Sequence, residues 1–148
     1  MAPLITLLLS SIAARCIGWL GVGYVNSWTA AIAVGLAAMF ILTGFAHFAP
    51  QLRGDLIAIV PPRLPARGYL VTITGLLELL GAVGLLLPVT RVAAAVCLLV
   101  LMLAMFPANV YAARMPNPPK SMTTQLPLRI AIEVVFLAAA VAVTVGSG

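Results

Sequence analysis

The sequence contains very little charge. Only 7% of its 148 residues are charged, and three of these are acidic, whereas a soluble domain carries about 25% charged residues. Hydrophobic residues make up 64% of the chain, and so few charged side chains do not cover that much apolar surface in water. The composition therefore excludes a soluble globular protein and indicates an integral membrane protein, with residues 1–148 as a single domain.

Residues for metal and nucleophile chemistry are also scarce. His47 is the one histidine, and Cys16 and Cys97 lie in separate hydrophobic segments without a CxxC motif. This pattern excludes a metal site, a disulfide framework and a bis-histidine haem, and it predicts two buried thiols. There is no phosphate loop or hydrolase motif, so we expect no enzyme activity from the chain on its own. Basic and aromatic residues are not interleaved, which excludes a nucleic-acid groove.

Five hydrophobic segments predict an all-α, membrane-embedded helical bundle. They cover about 4–24, 28–49, 69–87, 92–112 and 126–145. Each is close to the ~20 residues that span a bilayer as a helix, and none shows the alternation of a membrane barrel.

The first segment contains Arg15 and has two interpretations. Ser11, Arg15, Gly18 and Val22 recur at helical spacing and predict a stripe that packs on the bundle, with Arg15 turned inward or reaching the interface. The alternative is an amphipathic helix that lies in the interface. No basic residue precedes the apolar run, so we expect no cleaved signal peptide.

The basic residues predict the orientation of the chain. If all five segments span, six of these residues fall on the amino-terminal side and only Arg91 falls opposite; the six are Arg53, Arg63, Arg67, Arg114, Lys120 and Arg129. The positive-inside rule then makes loops 50–68 and 113–125 cytoplasmic and leaves the C-terminus outside. The apolar run LIAIVP within the first loop is too short to span, so it lies at the headgroups or dips toward the bundle. We expect the basic residues to contact lipid headgroups, and the Pro-rich second loop to be an exposed connector.

Glu78 is the most informative single residue. It lies within TGLLELLGAVG, residues 74–84, and an ionised group at mid-bilayer costs about 2.5–3.5 kcal/mol. Small residues recur around it at helical spacing, which predicts that another helix packs closely there and that Glu78 points into the bundle. Its role is either structural, fixing helix register, or functional, carrying a proton or facing a ligand. Arg15 is a candidate partner across the bundle.

Four further residues are candidates for the same site. His47 and Asn109 lie at the cytoplasmic ends of the second and fourth predicted helices. Arg129 begins the fifth helix, and Glu133 follows at i+4, so the two side chains are predicted to pair. His47 is either an interfacial anchor or a site residue. One hypothesis places these four residues and Glu78 around a cavity that opens to the cytoplasm, next to a kink at Pro107.

The chain resembles the DoxX-like family of small four-helix membrane proteins. The resemblance rests on GLAAMFILTGFAHFAP (35–50), DLIAIVPPRLP (55–65), TGLLELLGAVGLLLPVTRVAA (74–94), MFPANVYAAR (105–114) and LPLR (126–129). It implies that the last four predicted helices form the core bundle and that the segment before residue 28 is an addition. The sequence departs from that family at Arg91-Val92, where relatives have two basic residues, and at Arg129, where they tend to have Gln.

The resemblance implies a redox or quinone setting in a bacterial inner membrane. The first expectation is an accessory or scaffolding subunit of a quinone-linked system, bound to other membrane or redox subunits or to further copies of itself. The second is a protein that binds quinone, or another apolar ligand, at a cavity containing Glu78. The third is a small transporter or trafficking factor for lipids or solutes, although no broken helices of the transporter kind are present.

Overall fold

The protein is almost entirely helical. A computed structural model describes residues 1–147, and helix makes up 80% of it, with no strand in that part of the chain. The helices are α1 (Ala2–Trp19), α2 (Trp28–Ala46), α3 (Pro50–Ile59), α4 (Arg67–Leu86), α5 (Arg91–Arg114) and α6 (Leu126–Gly146). Short 3₁₀ turns occupy Gly23–Val25 and Lys120–Met122. The predicted all-α class is therefore confirmed.

Five of these helices are long and apolar enough to cross a membrane, and each lies within or across one predicted segment. α3 is the exception, because its 10 residues extend only about 15 Å. α1 ends at Trp19, well before residue 24, since Gly21 adopts a positive φ of 110° that breaks the helix. α2 also ends early, at Ala46, and Pro50 begins α3. The loop predicted at 50–68 thus contains a helix.

Turn chemistry fixes the helix ends. The Ser27 hydroxyl accepts a hydrogen bond from the Ala30 amide at 3.1 Å and satisfies one of the free amides at the start of α2. Pro50 and Pro127 lie in the first turns of α3 and α6, where the missing N–H costs nothing. Pro88 follows the end of α4.

The core lies between four helices. α2 packs on α4 and α6, while α5 packs on α4 and α6, so these four form a closed ring, and α1 packs on α2. The largest fully buried side chains come from all four helices of the ring: Leu36, Met39, Leu85, Leu98 and Val143.

α1 packs through a different stripe from the predicted one. Its buried residues are Leu7, Ser11, Ala14 and Gly18. Of the predicted stripe, only Ser11 and Gly18 are buried; Arg15 is half-buried, and Val22 lies beyond the helix and is exposed. The prediction failed because α1 ends at Trp19, which removes Val22 from the helical register.

The prediction of buried thiols is wrong. Cys16 and Cys97 are both exposed, on the outer faces of α1 and α5. Apolar side chains occupy the outer as well as the inner faces of these helices, so hydropathy alone does not indicate which face a cysteine shares.

Candidate functional site

Glu78 is buried between α2 and α4, with 5% of its surface exposed. The Thr43 hydroxyl donates a hydrogen bond to Glu78 Oε2 at 2.6 Å. The small residues that predicted this packing do contact neighbouring side chains: a Cβ added at Gly75 would meet His47 Cβ at 2.6 Å, and one at Gly81 would meet Leu98. The prediction that Glu78 points into the bundle is confirmed.

His47 caps the end of α2, one helical turn beyond Thr43. Its Nδ1 lies 2.8 Å from the Thr43 carbonyl oxygen. Because a carbonyl oxygen only accepts, Nδ1 carries the hydrogen, and in the neutral ring Nε2 is left as an acceptor. The distance of 3.8 Å from Nδ1 to Glu78 Oε2 is too long for a hydrogen bond.

The imidazole of His47 favours its neutral form. Burial lowers the pKa of His47 below its usual value, and the positive charge of Arg53 lowers it further, whereas the hydrogen bond to Thr43 acts in the opposite direction. At neutral pH the neighbouring His47 and Glu78 are therefore not an ion pair, and Nε2 keeps its free lone pair.

Arg53, which sequence reasoning missed, holds the elements around His47 together. From α3 its guanidinium donates to the His47 carbonyl at 2.9 Å, to the Gly68 carbonyl at 3.1 Å and to the Thr72 hydroxyl at 2.9 Å. One side chain thus joins the end of α2, the start of α3 and the first turns of α4. The sequence carried no signal for this, because Arg53 lies in a segment predicted to be a loop.

A cleft opens beside His47, between α3 with its following loop, α4 and α5. Its volume is about 420 Å³. The lining is apolar apart from His47, Arg63 and Thr74; the other lining residues are Leu56, Ile59, Val60, Pro61, Leu64, Leu70, Val71, Ala104, Met105, Pro107 and Ala108. Thr74 Oγ1 hydrogen-bonds to the Leu70 carbonyl of its own helix at 2.9 Å. His47 and Arg63 therefore supply the polar chemistry of the cleft.

The five candidate residues do not surround this cleft together. Only His47 lines it, and Glu78 lies behind, near Thr43. Asn109 and Arg129 form a separate group between α5 and α6, where Arg129 donates to Asn109 Oδ1 at 3.2 Å. Two different interhelical seams, α2–α4 and α5–α6, carry the polar residues, so the one-cavity hypothesis is wrong in its geometry.

The predicted pair of Arg129 and Glu133 is also wrong. The guanidinium of Arg129 donates to the Met122 carbonyl at 2.6 Å and to the Thr124 carbonyl at 2.9 Å, in addition to Asn109. Backbone carbonyls of the preceding loop therefore bind the Arg129 guanidinium in place of Glu133. Glu133 Oε1 is buried and has no hydrogen-bond partner in residues 1–147. The loop predicted to be a free connector is therefore tied to α6.

Arg15 does not pair with Glu78. It donates to Asn26 Oδ1 at 3.1 Å, and its Cζ lies 4.8 Å from the Trp19 ring centre and 5.6 Å from that of Trp28. These partners lie at the end of α1 and the start of α2, whereas Thr43, which binds Glu78, lies near the end of α2, about 22 Å away along the helix axis.

The hydrogen bonds of Arg91, which the sequence did not predict, lie at the same end of the bundle as Arg15. Arg91 is buried; its Nε donates to the Leu85 carbonyl at 3.0 Å and its Nη2 to the Tyr24 hydroxyl at 3.1 Å. Tyr24 in turn donates to the Leu86 carbonyl. The turn before α2 and the turn before α5 are thereby joined.

The fold and the cleft define a class of protein. It is an all-helical protein with five helices long and apolar enough to cross a membrane and with a mostly apolar cleft whose lining includes a histidine. No group of three metal-binding side chains occurs within the described part of the chain. Residues 36–144 match a family described as a domain of unknown function (DUF8561), and the chain belongs to that family. The match begins within α2 and leaves α1 outside. No curated protein and no solved structure matches the chain.

Proposed function

We propose that this is a multi-pass membrane protein that binds an amphiphile in the cleft beside His47, with an apolar body and a hydrogen-bonding head. The observation that carries the proposal is the place of His47, whose Nε2 is an acceptor in the neutral ring, in the lining of a cleft that is apolar apart from Arg63 and Thr74. The DoxX-like resemblance implies a quinone, and its reduced form, a quinol, carries the hydroxyl donor that such a site would bind. That resemblance itself remains a prediction.

The exposed apolar side chains on the outer surface of the bundle support a location in a membrane. Large apolar side chains are exposed along all five long helices; examples are Leu9, Leu42, Leu80, Val100 and Val134. A surface of this kind would aggregate in water and suits contact with lipid chains. We propose that the ring of α2, α4, α5 and α6 is embedded in a bilayer and that α1 spans beside it.

The orientation we propose follows from where the basic residues lie. Six of the eight lie at the end of the bundle that carries His47, while Arg15 and Arg91 lie at the other end. We propose that the His47 end is cytoplasmic, in a bacterial inner membrane, and that the C-terminus is outside.

Ligand binding is favoured over the other two expected roles. A neutral imidazole nitrogen accepts a hydrogen bond from a hydroxyl of the ligand. The apolar lining residues pack against the rest of the ligand and offer it no other polar contact. Within residues 1–147, no contact with a partner supports a subunit interface. The helices α2, α4, α5 and α6 are each continuous, whereas many transporters bind substrate at interrupted helices. The scaffolding and transport roles therefore remain predictions from the sequence.

The test is identification of the molecules that co-purify with the protein. After extraction in mild detergent, mass spectrometry of the lipid extract should show one amphiphile in stoichiometric amount. His47→Leu removes the acceptor without removing the cleft, so we expect it to lose that molecule. Glu78→Leu should weaken retention less, because Glu78 does not line the cleft.

Leu103→Ala is the matched control. Leu103 is exposed on α5 and lies outside the cleft, so its truncation should leave the bound molecule in place. Leu99 is a poorer control, because it packs against the core. Equal retention of the same molecules by His47→Leu and by Leu103→Ala, with both variants monodisperse, would rule the proposal out.

A further inference from the structure

A second apolar depression lies directly beyond the cleft. It is a groove of about 620 Å³ on the outer face of α4 and α5. Ala104 lines both the groove and the cleft, so the two hollows adjoin at this residue. Gly81 lies in its lining, and the absence of a side chain there lets Leu98 of α5 pack closely against α4.

The linings form one continuous stripe on α4. Leu70 and Thr74 face the cleft, and Leu77 and Gly81 face the groove. These positions are spaced four, three and four residues apart, which is the repeat of a single helical face. The linings of the cleft and the groove therefore follow one another along the same face of α4.

α5 shows the same continuity over a longer distance. Ala93, Cys97 and Val100 line the groove, Ala104 lines both hollows and Ala108 lines the cleft. Small residues dominate this stripe, and they leave space where larger side chains would fill it. From Ala104 to the far end of the groove at Thr90 the distance along the helix is about 21 Å.

The lining of the groove offers no unpaired polar group to a ligand. Thr90 is its one polar lining residue, and the Thr90 hydroxyl already donates to the Gly84 carbonyl at 2.9 Å. All remaining lining residues are apolar. The occupant that matches is a hydrocarbon chain that is joined to a polar head in the cleft.

We propose that the protein binds a long-tailed amphiphile, with its head at His47 and its hydrocarbon tail in the α4–α5 groove, passing Ala104. The inference rests on the proposed function and adds the class of ligand and the path of its tail. Because the tail would otherwise lie in lipid, the groove contributes packing contacts rather than transfer from water. It therefore selects for tail length and shape.

The test uses a photoreactive probe in lipid nanodiscs. The probe is a para-alkylphenol whose chain extends about 20 Å and ends in a diazirine; its hydroxyl is the donor for His47, and its length matches the groove. We expect cross-linked peptides to come from the far part of the groove, around Ala93–Cys97. Excess para-cresol, which has the head without the tail, should reduce this labelling several-fold.

Two variants of neighbouring residues test the tail path. Ala104→Phe places a ring where the hollows adjoin and should reduce groove labelling several-fold. Leu103→Phe adds the same ring to an exposed position outside both hollows and should leave labelling unchanged. Both positions are exposed, so neither ring has to fit into the core.

The failures of the two proposals differ. If labelling is insensitive to para-cresol and to His47→Leu, the proposed function fails, and this inference fails with it. A different result would show that the tail path alone is wrong. In that case para-cresol and His47→Leu each suppress labelling, but the peptides labelled in the unmodified protein come from other helices, and Ala104→Phe has no effect. Oxidative cross-linking of Cys97 between two copies, with no groove labelling, would assign the groove to a second copy and also overturn the inference.

Discussion

At the scale of single residues, three buried side chains have neutral hydrogen-bond partners. Glu78 accepts from the Thr43 hydroxyl, His47 donates to a backbone carbonyl, and Arg91 donates to a carbonyl and to Tyr24. Neutral hydrogen bonds avoid the desolvation of two opposite charges, which often exceeds the gain from their attraction. Neither predicted ion pair occurs, because Arg15 lies far from Glu78 and because Arg129 donates to loop carbonyls and to Asn109 instead of to Glu133.

The Thr43–Glu78 hydrogen bond gives a prediction about stability. Thr43→Val keeps the shape of the side chain and leaves the buried carboxyl without its donor, so we expect the free energy of unfolding to fall by about 1–3 kcal/mol. Equilibrium unfolding in mixed detergent micelles measures the change. Thr43→Ser retains the hydroxyl and should lose much less.

A double-mutant cycle isolates this contact. In a Glu78→Leu background the acceptor is gone, so Thr43→Val should then cost little. An equal cost in both backgrounds would show that Thr43 acts through packing and that the hydrogen bond does not stabilise the fold.

The sequence could predict the burial of Glu78 but not its partner. The burial of Glu78 could be predicted because small residues such as Gly75 and Gly81 recur around it at helical spacing, and this pattern lies within one short segment. Thr43 lies 35 positions away on another helix, and single-sequence periodicity carries no information about which helices become neighbours. The Thr43–His47 spacing of four residues within one helix was the one local signal for the group, and it was not recognised.

At the scale of secondary-structure elements, close approach depends on a few glycines. α1 meets α2 at Gly35, where an added Cβ would lie 1.9 Å from Ser11 Oγ and 2.7 Å from the Leu7 carbonyl oxygen. The Leu7 backbone moves only if α1 itself moves away. Gly35 therefore sets the distance between these two helices.

Gly35→Ala should separate α1 from α2. We expect it to lower the free energy of unfolding by about 1–3 kcal/mol, the usual cost of an overpacked contact. Gly54→Ala is the matched control, because nothing lies within 4 Å of the added Cβ and alanine is the better helix former by about 0.5–1 kcal/mol. Thermal unfolding of the two variants in one detergent makes the comparison, and indistinguishable midpoints would contradict the packing argument.

Hydropathy predicted the long helices well and missed α3. The five long helices are hydrophobic throughout, so length and composition suffice to find them. α3 is short and mixed in composition, and it borders Pro61 and Pro62. What stabilises it is tertiary, namely the Arg53 hydrogen bonds and a 2.5 Å hydrogen bond from Ser121 to Asp55. Because α3 forms a wall of the cleft, the cleft could not be predicted from the sequence.

At the scale of the whole molecule, contacts between residues far apart in the sequence join neighbouring segments at each end of the bundle. Arg91 contacts Tyr24 across 67 positions, and Ser121 contacts Asp55 across 66. The first contact joins the start of α5 to the turn before α2 at one end, and the second joins the loop before α6 to α3 at the other end. Both contacts agree with five long helices that alternate in direction.

The proposed orientation predicts opposite accessibility of the two ends. In a variant whose native cysteines are replaced by serine, Val89→Cys should react with a membrane-impermeant maleimide in intact cells. Val89 is suited to this because it is 98% exposed in the turn before α5. Lys120→Cys, exposed at the His47 end, should react only after the cells are permeabilised. The reverse pattern would invert the topology, while leaving the cleft and its chemistry unaffected.

Arg53 has a consequence for how this protein can diverge. The same guanidinium positions the wall helix of the cleft and the backbone of the residue that supplies its polar atom. The width of the cleft and the position of its acceptor therefore do not vary independently. Under the proposed function, we therefore expect adaptation to a bulkier head to require a change at position 53, which lies outside the lining of the cleft.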